Sequence, residues 1–119
     1  MRLSSELRDR TKLFAADVIQ LYVGLPRQRE EVRVLGRQLL RSGTSVAGHA
    51  REASRARSDA EFCSKVEGLL QEADETGLWL ELLKDTCGIH DERLQYLSVE
   101  CDEISAIFTT MVSRIRRRM

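Results

Sequence analysis

Apolar residues recur at intervals of three, four and seven along four stretches of the chain. Residues with this spacing fall on one face of an α-helix, so each stretch predicts an amphipathic helix with a buried stripe. The first stripe runs into Gly24, Leu25 and Pro26, where the proline cannot continue a helix. The first helix is therefore expected to end there, and its stripe consists of Leu7, Phe14, Val18, Leu21 and Leu25.

Three more stripes follow, each predicting a helix longer than the first. The second narrows to small residues in its middle, which predicts a close approach between helices, and consists of Val32, Leu35, Leu39, Gly43, Val46, Ala50 and Ala53. The third consists of Phe62, Val66, Leu69, Ala73, Thr76, Leu80 and Leu83. The fourth has the most regular heptad spacing and consists of Leu94, Leu97, Cys101, Ile104, Phe108, Met111 and Ile115.

The segments between the stripes carry signals for helix ends. Ser58 followed by Glu61 fits a capping box at the start of the third helix. Cys87 and Gly88 offer a stop for that helix, and Asp91 is a suitable cap for the fourth. Four helices joined by short breaks must return alongside one another. The chain is therefore predicted to be all-α, with one domain over residues 1–119 that forms an antiparallel up-down-up-down four-helix bundle.

Composition narrows the functional classes. No apolar run approaches the roughly 20 residues of a membrane span, and the first ten residues lack the apolar core of a signal peptide. We therefore expect a cytoplasmic protein without a membrane partner. The cysteines Cys63, Cys87 and Cys101 are odd in number and widely spaced. They are expected to be reduced thiols packed as small apolar groups.

The net charge of zero hides an uneven distribution along the chain. Residues 1–57 carry 12 basic and 6 acidic groups, residues 58–110 carry 3 and 13, and residues 111–119 carry 4 and none. Sixteen of the 19 basic residues are arginine, which suits bidentate contacts with carboxylate or phosphate. The two halves can neutralise each other, within or between chains, or the basic half can bind an anionic partner.

The outer faces of the second and third helices are complementary in charge. On the second helix, arginines flank a waist of small residues, and the arc includes Arg37, Arg41, Thr44, Ser45, Gly48, Glu52 and Arg55. On the third helix, an acidic arc contains one large apolar residue and includes Glu67, Gln71, Asp74, Leu78, Glu81 and Asp85. This predicts a subunit interface in which Leu78 or a neighbour packs at the waist. The alternative is that both arcs are solvated surfaces.

A contact between two different faces is heterologous, and repetition of such a contact can close into a ring.

The sequence also resembles a known family. The segments that carry the resemblance are QLLRSGTSVAGHAREA (residues 38–53), RARSDAEF (55–62) and EADETGLWLELL (72–83). They resemble the small four-helix-bundle proteins encoded in intervening sequences of bacterial 23S ribosomal RNA genes, over roughly residues 14–115.

The resemblance implies an antiparallel four-helix bundle that assembles as a homopentamer, with no recognised enzymatic activity and a function usually described as unknown. It also implies association with ribosomal RNA. A distant relative assists the reverse transcriptase of diversity-generating retroelements by binding nucleic acid and protein. His49 departs from the family pattern, which usually has Asn at this place.

Catalytic chemistry finds little support in the sequence. A di-iron bundle needs Glu-x-x-His pairs, and neither His49 nor His90 stands three residues after a glutamate. His49 is expected to be a hydrogen-bonded histidine at the edge of the packing, and Glu72 and Glu75 are expected to pair with arginine. We therefore predict a protein that is not an enzyme, with no catalytic residues, no metal and no cofactor.

Two functions remain from the sequence. The first is a homo-oligomeric scaffold or adaptor that binds itself and another protein. The alternative is an accessory protein that binds RNA or DNA through arginine-rich surfaces of the assembled ring. For that role we single out the arginines least needed by the acidic arc, two placed on the second helix and three at the tail: Arg51, Arg57, Arg116, Arg117 and Arg118.

Overall fold

The computed structural model describes residues 2–119, which form an elongated bundle of 49 × 21 × 20 Å. This part of the chain contains four α-helices: α1 (Ser5–Gly24), α2 (Glu30–Ser54), α3 (Asp59–Asp85) and α4 (Glu92–Arg118). Each helix packs on the next along the chain, and α1 also packs on α4. The prediction of an all-α, antiparallel up-down-up-down bundle is confirmed.

Side-chain caps begin three of the helices. Ser4 Oγ accepts a hydrogen bond from the Leu7 amide at 3.1 Å, and an Asp91 carboxylate oxygen accepts one from the Arg93 amide at 2.8 Å. Ser58 Oγ accepts from the Glu61 amide at 3.0 Å, which is the hydroxyl half of the predicted capping box. The Glu61 carboxylate lies 3.5 Å from Arg57 Nε, so it belongs to an ion pair instead.

The end of α3 is a left-handed glycine turn. Gly88 has a φ of 71°, a conformation that costs a residue without a side chain little. Its amide donates to the Lys84 carbonyl at 3.1 Å, and the Ile89 amide donates to the Leu83 carbonyl at 2.9 Å. These bonds satisfy carbonyls that the helix leaves free and turn the chain towards α4.

The four predicted stripes form the hydrophobic core. Buried residues include Phe14 and Val18 of α1, Leu39 of α2 and Leu69 of α3. The fourth stripe follows its heptad only as far as Phe108. Val112 is then the buried residue of the next turn, whereas Met111 and Ile115 are partly exposed. The predicted stripe therefore omits one buried position, Val112, while Met111 and Ile115 still pack against the core.

The small residues of α2 bring it close to α1. A Cβ built at Gly43 would lie 2.8 Å from both γ carbons of Val18, and a Cβ at Gly36 would lie 3.0 Å from a δ carbon of Leu25. Glycine is thus required at Gly43 by the packing of the two helices. The close approach predicted for the middle of α2 is present.

A few polar groups are paired inside the bundle. Arg10 of α1 binds both carboxylate oxygens of Glu100 on α4, at 2.9 and 2.7 Å, and this hydrogen bonding raises the pKa of the arginine. Thr76 Oγ1 lies 2.8 Å from Ser42 Oγ between α3 and α2.

Burial raises the pKa of the Cys101 thiol to about 12, and all three cysteines are free and buried. Within residues 2–119, no helix is long and apolar enough to cross a membrane.

Candidate interaction surfaces of the second helix

The predicted basic arc of α2 is divided between its two neighbours. We call the side that faces α3 the α3 flank; it includes Arg41, Ser45 and Glu52. We call the side that borders α1 the α1 flank; it includes Gly48, Arg51 and Arg55. The two flanks differ in whether their charges have partners within the chain.

Arg41, on the α3 flank, is held by two carboxylates of α3. Its guanidinium nitrogens lie 3.2 Å from Glu72 Oε2 and 3.5 Å from Glu75 Oε2. The predicted pairing of these glutamates with arginine is therefore confirmed. Ser45 also forms a hydrogen bond with Glu72. Arg41 was predicted to lie at a subunit interface, and its present partners belong to its own chain.

The two glutamates form a hydrogen-bonded carboxyl pair. The hydrogen bond to Glu72 is the main reason that the pKa of Glu75 is raised above its ordinary value. Partial burial pushes the pKa of Glu72 upward, but hydrogen bonds with Glu75, Ser45 and Arg41 bring it below its ordinary value. Glu75 is thus the member of the pair that keeps a proton more readily, and Glu72 carries the charge that faces Arg41.

The rest of the α3 flank is also paired. Lys65 Nζ lies 3.4 Å from Glu52 Oε2. His49 packs at the edge of the bundle as predicted, because a Cβ at Gly68 would lie 3.1 Å from the imidazole ring. The expected hydrogen bond is absent: His49 Nδ1 lies 3.6 Å from Glu52 Oε2 and has no hydrogen-bond partner within residues 2–119.

The α1 flank borders a groove of about 580 Å³ between α1 and α2. Its lining carries four cations and a single carboxylate among small and polar residues: Arg8, Asp9, Thr11, Lys12, Ala47, Gly48, Arg51, Ser54 and Arg55. We call this the α1–α2 groove. Within the described chain, the side chains of Lys12, Arg51 and Arg55 make neither an ion pair nor a hydrogen bond.

Sequence reasoning missed part of this groove. Lys12 was not singled out, although Arg8 and Lys12 stand four residues apart and therefore on one side of α1. Their meeting with Arg51 and Arg55 depends on the register between α1 and α2, which the spacing within each helix does not define. Arg37, by contrast, lines a separate hollow with Tyr22 and Pro26 and has no ion pair among residues 2–119.

The acidic arc of α3 keeps its predicted apolar residue at the surface. Leu78 is 46% exposed, although it is a large aliphatic side chain. Asp74 and Glu81, one turn away on either side, make no ion pair in the described part of the chain. Glu67 is different, because it forms an ion pair with Arg116 at the end of α4. We call the segment from Asp74 to Glu81 the Leu78 ridge.

Two of the arginines singled out for nucleic acid differ from expectation. Arg57 lies beyond α2, which ends at Ser54, and its Nε is 3.5 Å from Glu61. Arg116 was counted among those least needed by the acidic arc, yet it pairs with Glu67 of that arc. Arg51, Arg117 and Arg118 have no carboxylate partner within residues 2–119.

In the described residues, no three histidine, cysteine, aspartate or glutamate side chains are placed together as a metal site.

Comparison with known proteins gives the same architecture. Residues 4–110 match the sequence family described as 23S rRNA-intervening sequence protein. Among curated proteins, no match to this chain was found.

A crystal structure from Bacteroides thetaiotaomicron is similar over most of its length. It is described as a protein with unknown function from the S23 ribosomal protein family. The two sequences are 35% identical, and the alignment covers 89% of this chain and 97% of that one, with a TM-score of 0.80. The similarity therefore extends over the whole bundle.

Proposed function

Because the chain belongs to the family of 23S rRNA-intervening sequence proteins, we propose that it is a non-enzymatic, homo-oligomeric scaffold or adaptor whose preferred assembly is a pentamer. The proposal includes another protein as a partner of the assembled ring. It also locates the protein in the cytoplasm, the compartment that suits three free cysteines.

The exposed Leu78 ridge is the observation that carries this proposal. A half-exposed leucine between two unpaired carboxylates, Asp74 and Glu81, has the composition of a contact surface: an apolar centre with a charged rim. The matching surface is the α2 arc of a second copy, where Ser45 provides a small-residue seat and Arg37 has a free guanidinium. Such a contact joins two different faces and can therefore generate a ring.

Ion pairs on the α3 flank reduce the set of residues expected to contact a second copy. Arg41 and Glu52 are already paired within their own chain, so Arg37, which has no ion pair among residues 2–119, is the stronger charged contact for the ridge. Ser45 contributes a small side chain that leaves room for Leu78. Gly48 and Arg55 line the α1–α2 groove and fall outside this narrower contact. In this arrangement, assembly leaves the groove open.

The test is the mass of the particle in solution. Light scattering at micromolar concentration should give several times the 13.6 kDa monomer mass for the wild type. Leu78→Asp should reduce this mass to that of the monomer with helical content unchanged, because a further carboxylate joins the ridge and its apolar centre is lost. Leu78 has been chosen over Arg41 because reversal of Arg41 would also disturb pairs within the bundle.

Leu13→Asp is the matched control, since Leu13 is also an exposed leucine, on α1 at 56%. It should leave the assembly intact. A wild type that stays monomeric across a tenfold dilution contradicts the proposal. If both variants dissociate the assembly equally, the Leu78 ridge is not its specific contact surface.

Binding of RNA or DNA is the second candidate function. It is favoured by the α1–α2 groove, because Lys12, Arg51 and Arg55 there make no ion pair within residues 2–119. A scaffold that also binds nucleic acid is compatible with the narrower interface, which leaves those cations exposed.

A further inference from the structure

Three cations of the α1–α2 groove, Lys12, Arg51 and Arg55, make no ion pair within residues 2–119. Elsewhere on the bundle, arginines are commonly matched by carboxylates, as in the pairs Arg2–Asp59 and Arg10–Glu100. In the groove, Lys12, Arg51 and Arg55 face one another across two helices with Asp9 as the only carboxylate in the lining. Like charges placed together without counter-charges repel, so this arrangement favours an anionic ligand.

The floor of the groove is open to a bulky ligand. Gly48 lines the groove, and a Cβ built there would meet no atom within 4 Å. Ala47 beside it is also small. The lining contains no aromatic side chain, so the groove cannot stack a nucleobase. Its chemistry therefore suits the charged backbone of a ligand and carries little information about base sequence.

We propose that the α1–α2 groove binds the phosphodiester backbone of a nucleic-acid strand through Lys12, Arg51 and Arg55. This inference rests on the second candidate function and gives it a site. Arginine guanidinium groups contact phosphate oxygens in pairs, and the lysine adds a point charge from the opposite wall. The α4 tail, with Arg117 and Arg118, lies at the same end of the antiparallel bundle and extends the positive surface.

The Leu78 ridge of a second copy is the competing occupant of the groove. Its free carboxylates, Asp74 and Glu81, are seven residues apart, which is about 10 Å along a helix. Arg51 and Arg55 are four residues apart, about 6 Å, so the spacing of the two ridge carboxylates does not match that of the two arginines. A flexible chain of closely spaced phosphates can follow both walls, and this difference favours nucleic acid.

The experiment measures binding of the wild-type assembly to labelled oligo(U) and to oligo(dT) of the same length, by fluorescence anisotropy at several salt concentrations. Arg51→Gln/Arg55→Gln should lower the affinity about tenfold or more at low salt. It should also reduce the slope of log K against log salt by about 1.4, because each lost contact with a single strand removes about 0.7. Similar affinities for the two strands are expected, since the contacts are to phosphate.

Two further variants distinguish binding in the groove from general attraction of the strand to positive charge anywhere on the protein. Gly48→Leu fills the floor without changing charge and should also weaken binding. Arg27→Gln/Arg93→Gln removes two unpaired arginines at the other end of the bundle, and should change the affinity by about threefold or less.

The outcomes have distinct meanings. Absence of binding by the wild type at low salt overturns the nucleic-acid function itself. Equal losses in the two double variants, a strong preference for one sugar type, or unchanged binding by Gly48→Leu overturns the groove as the site. Dissociation of the oligomer by Arg51→Gln/Arg55→Gln would assign the groove to a second copy, which also overturns the proposal, while the scaffold function is judged independently from the mass of Leu78→Asp.

Discussion

The two flanks of α2 carry similar residues and have opposite surroundings. On the α3 flank, Arg41 binds Glu72 and Glu75, and Glu52 binds Lys65. On the α1 flank, Arg51 and Arg55 face Lys12 and have no carboxylate partner within the described chain. The difference lies in the neighbour: α3 is the acidic helix, whereas the facing part of α1 is itself basic. The helix beside an arginine of α2 thus determines whether that arginine forms ion pairs within the chain.

This comparison shows why net charge is a poor guide to partners here. The chain is neutral overall, with 19 basic and 19 acidic groups. Neutralisation takes place where helices of opposite charge meet, and it leaves an unbalanced groove where helices of like charge meet. A ligand responds to that local field, which falls off over about 10 Å at ordinary salt, and much less to the total.

The largest expected effect concerns the side of α2 that packs on α1. A Cβ at Gly43 would overlap Val18, whereas a Cβ at Gly48 would meet no atom within 4 Å. Gly43→Ala should destabilise the bundle by about 1–3 kcal/mol, because its methyl group would overlap Val18. Gly48→Ala is the matched control in the same helix and should be neutral or stabilising by up to about 1 kcal/mol, since alanine favours helix and nothing obstructs it. Urea denaturation measures both.

A double variant sharpens this prediction. Combining Gly43→Ala with Val18→Ala should cost less than the sum of the two single changes, because the smaller residue makes room for the new methyl group. Equal effects of the alanine substitutions at Gly43 and Gly48 would mean that α2 is packed as tightly at Gly48 as at Gly43.

The next effect separates paired from unpaired arginines directly. Arg41→Gln should lower the free energy of unfolding by about 0.5–1 kcal/mol, since its two ion pairs are partly exposed to solvent. Arg55→Gln should change it by no more than about 0.5 kcal/mol, because no partner is lost. The gap should shrink in high salt, which screens the pairs of Arg41. A larger loss for Arg55→Gln would show that the groove cations contribute to the fold.

Most of the fold could be predicted because the helix stripes record burial directly. Phe14, Leu69 and Leu97 were assigned to the core from spacing alone, and they are buried. The caps at Ser58 and Asp91 were likewise found from local sequence, since a cap involves only neighbouring residues. The exception is Val112, a buried position that the predicted stripe omits; it lies in the last turns of α4, beside the partly buried Met111 and Ile115.

The surfaces were harder to predict because they depend on register between helices. The pair between Arg10 and Glu100 spans 90 positions, and nothing near either residue indicates it. The place of Lys12 in the groove was not predicted for the same reason. Arg116 was expected to be apart from the acidic arc, but it pairs with Glu67 of that arc. A periodic pattern defines which face of a helix is exposed, but not which side chain of another helix lies opposite.

The smallest expected effect is a pH dependence on the α3 flank. The raised pKa of Glu75 means that its protonated form is favoured in the folded state, chiefly by the hydrogen bond to Glu72. That contribution to stability is fully present below the ordinary carboxyl pKa, and it is lost as the pH rises through the raised folded value. Glu72, whose pKa is lowered, contributes in the opposite sense: its stabilisation is present above the ordinary value and is lost as the pH falls through the folded value.

Glu75→Gln isolates the first of these contributions. The amide donates a hydrogen bond to Glu72 at every pH, so the variant does not lose the bond when the solution is made neutral. We expect its Tm to match that of the wild type near pH 4 and to exceed it slightly as the pH rises to about 7. Asp85→Asn removes the same charge at an exposed site at the end of α3 and corrects for the change in net charge. A Tm advantage that stays constant with pH would show that the carboxyl pair does not share a proton.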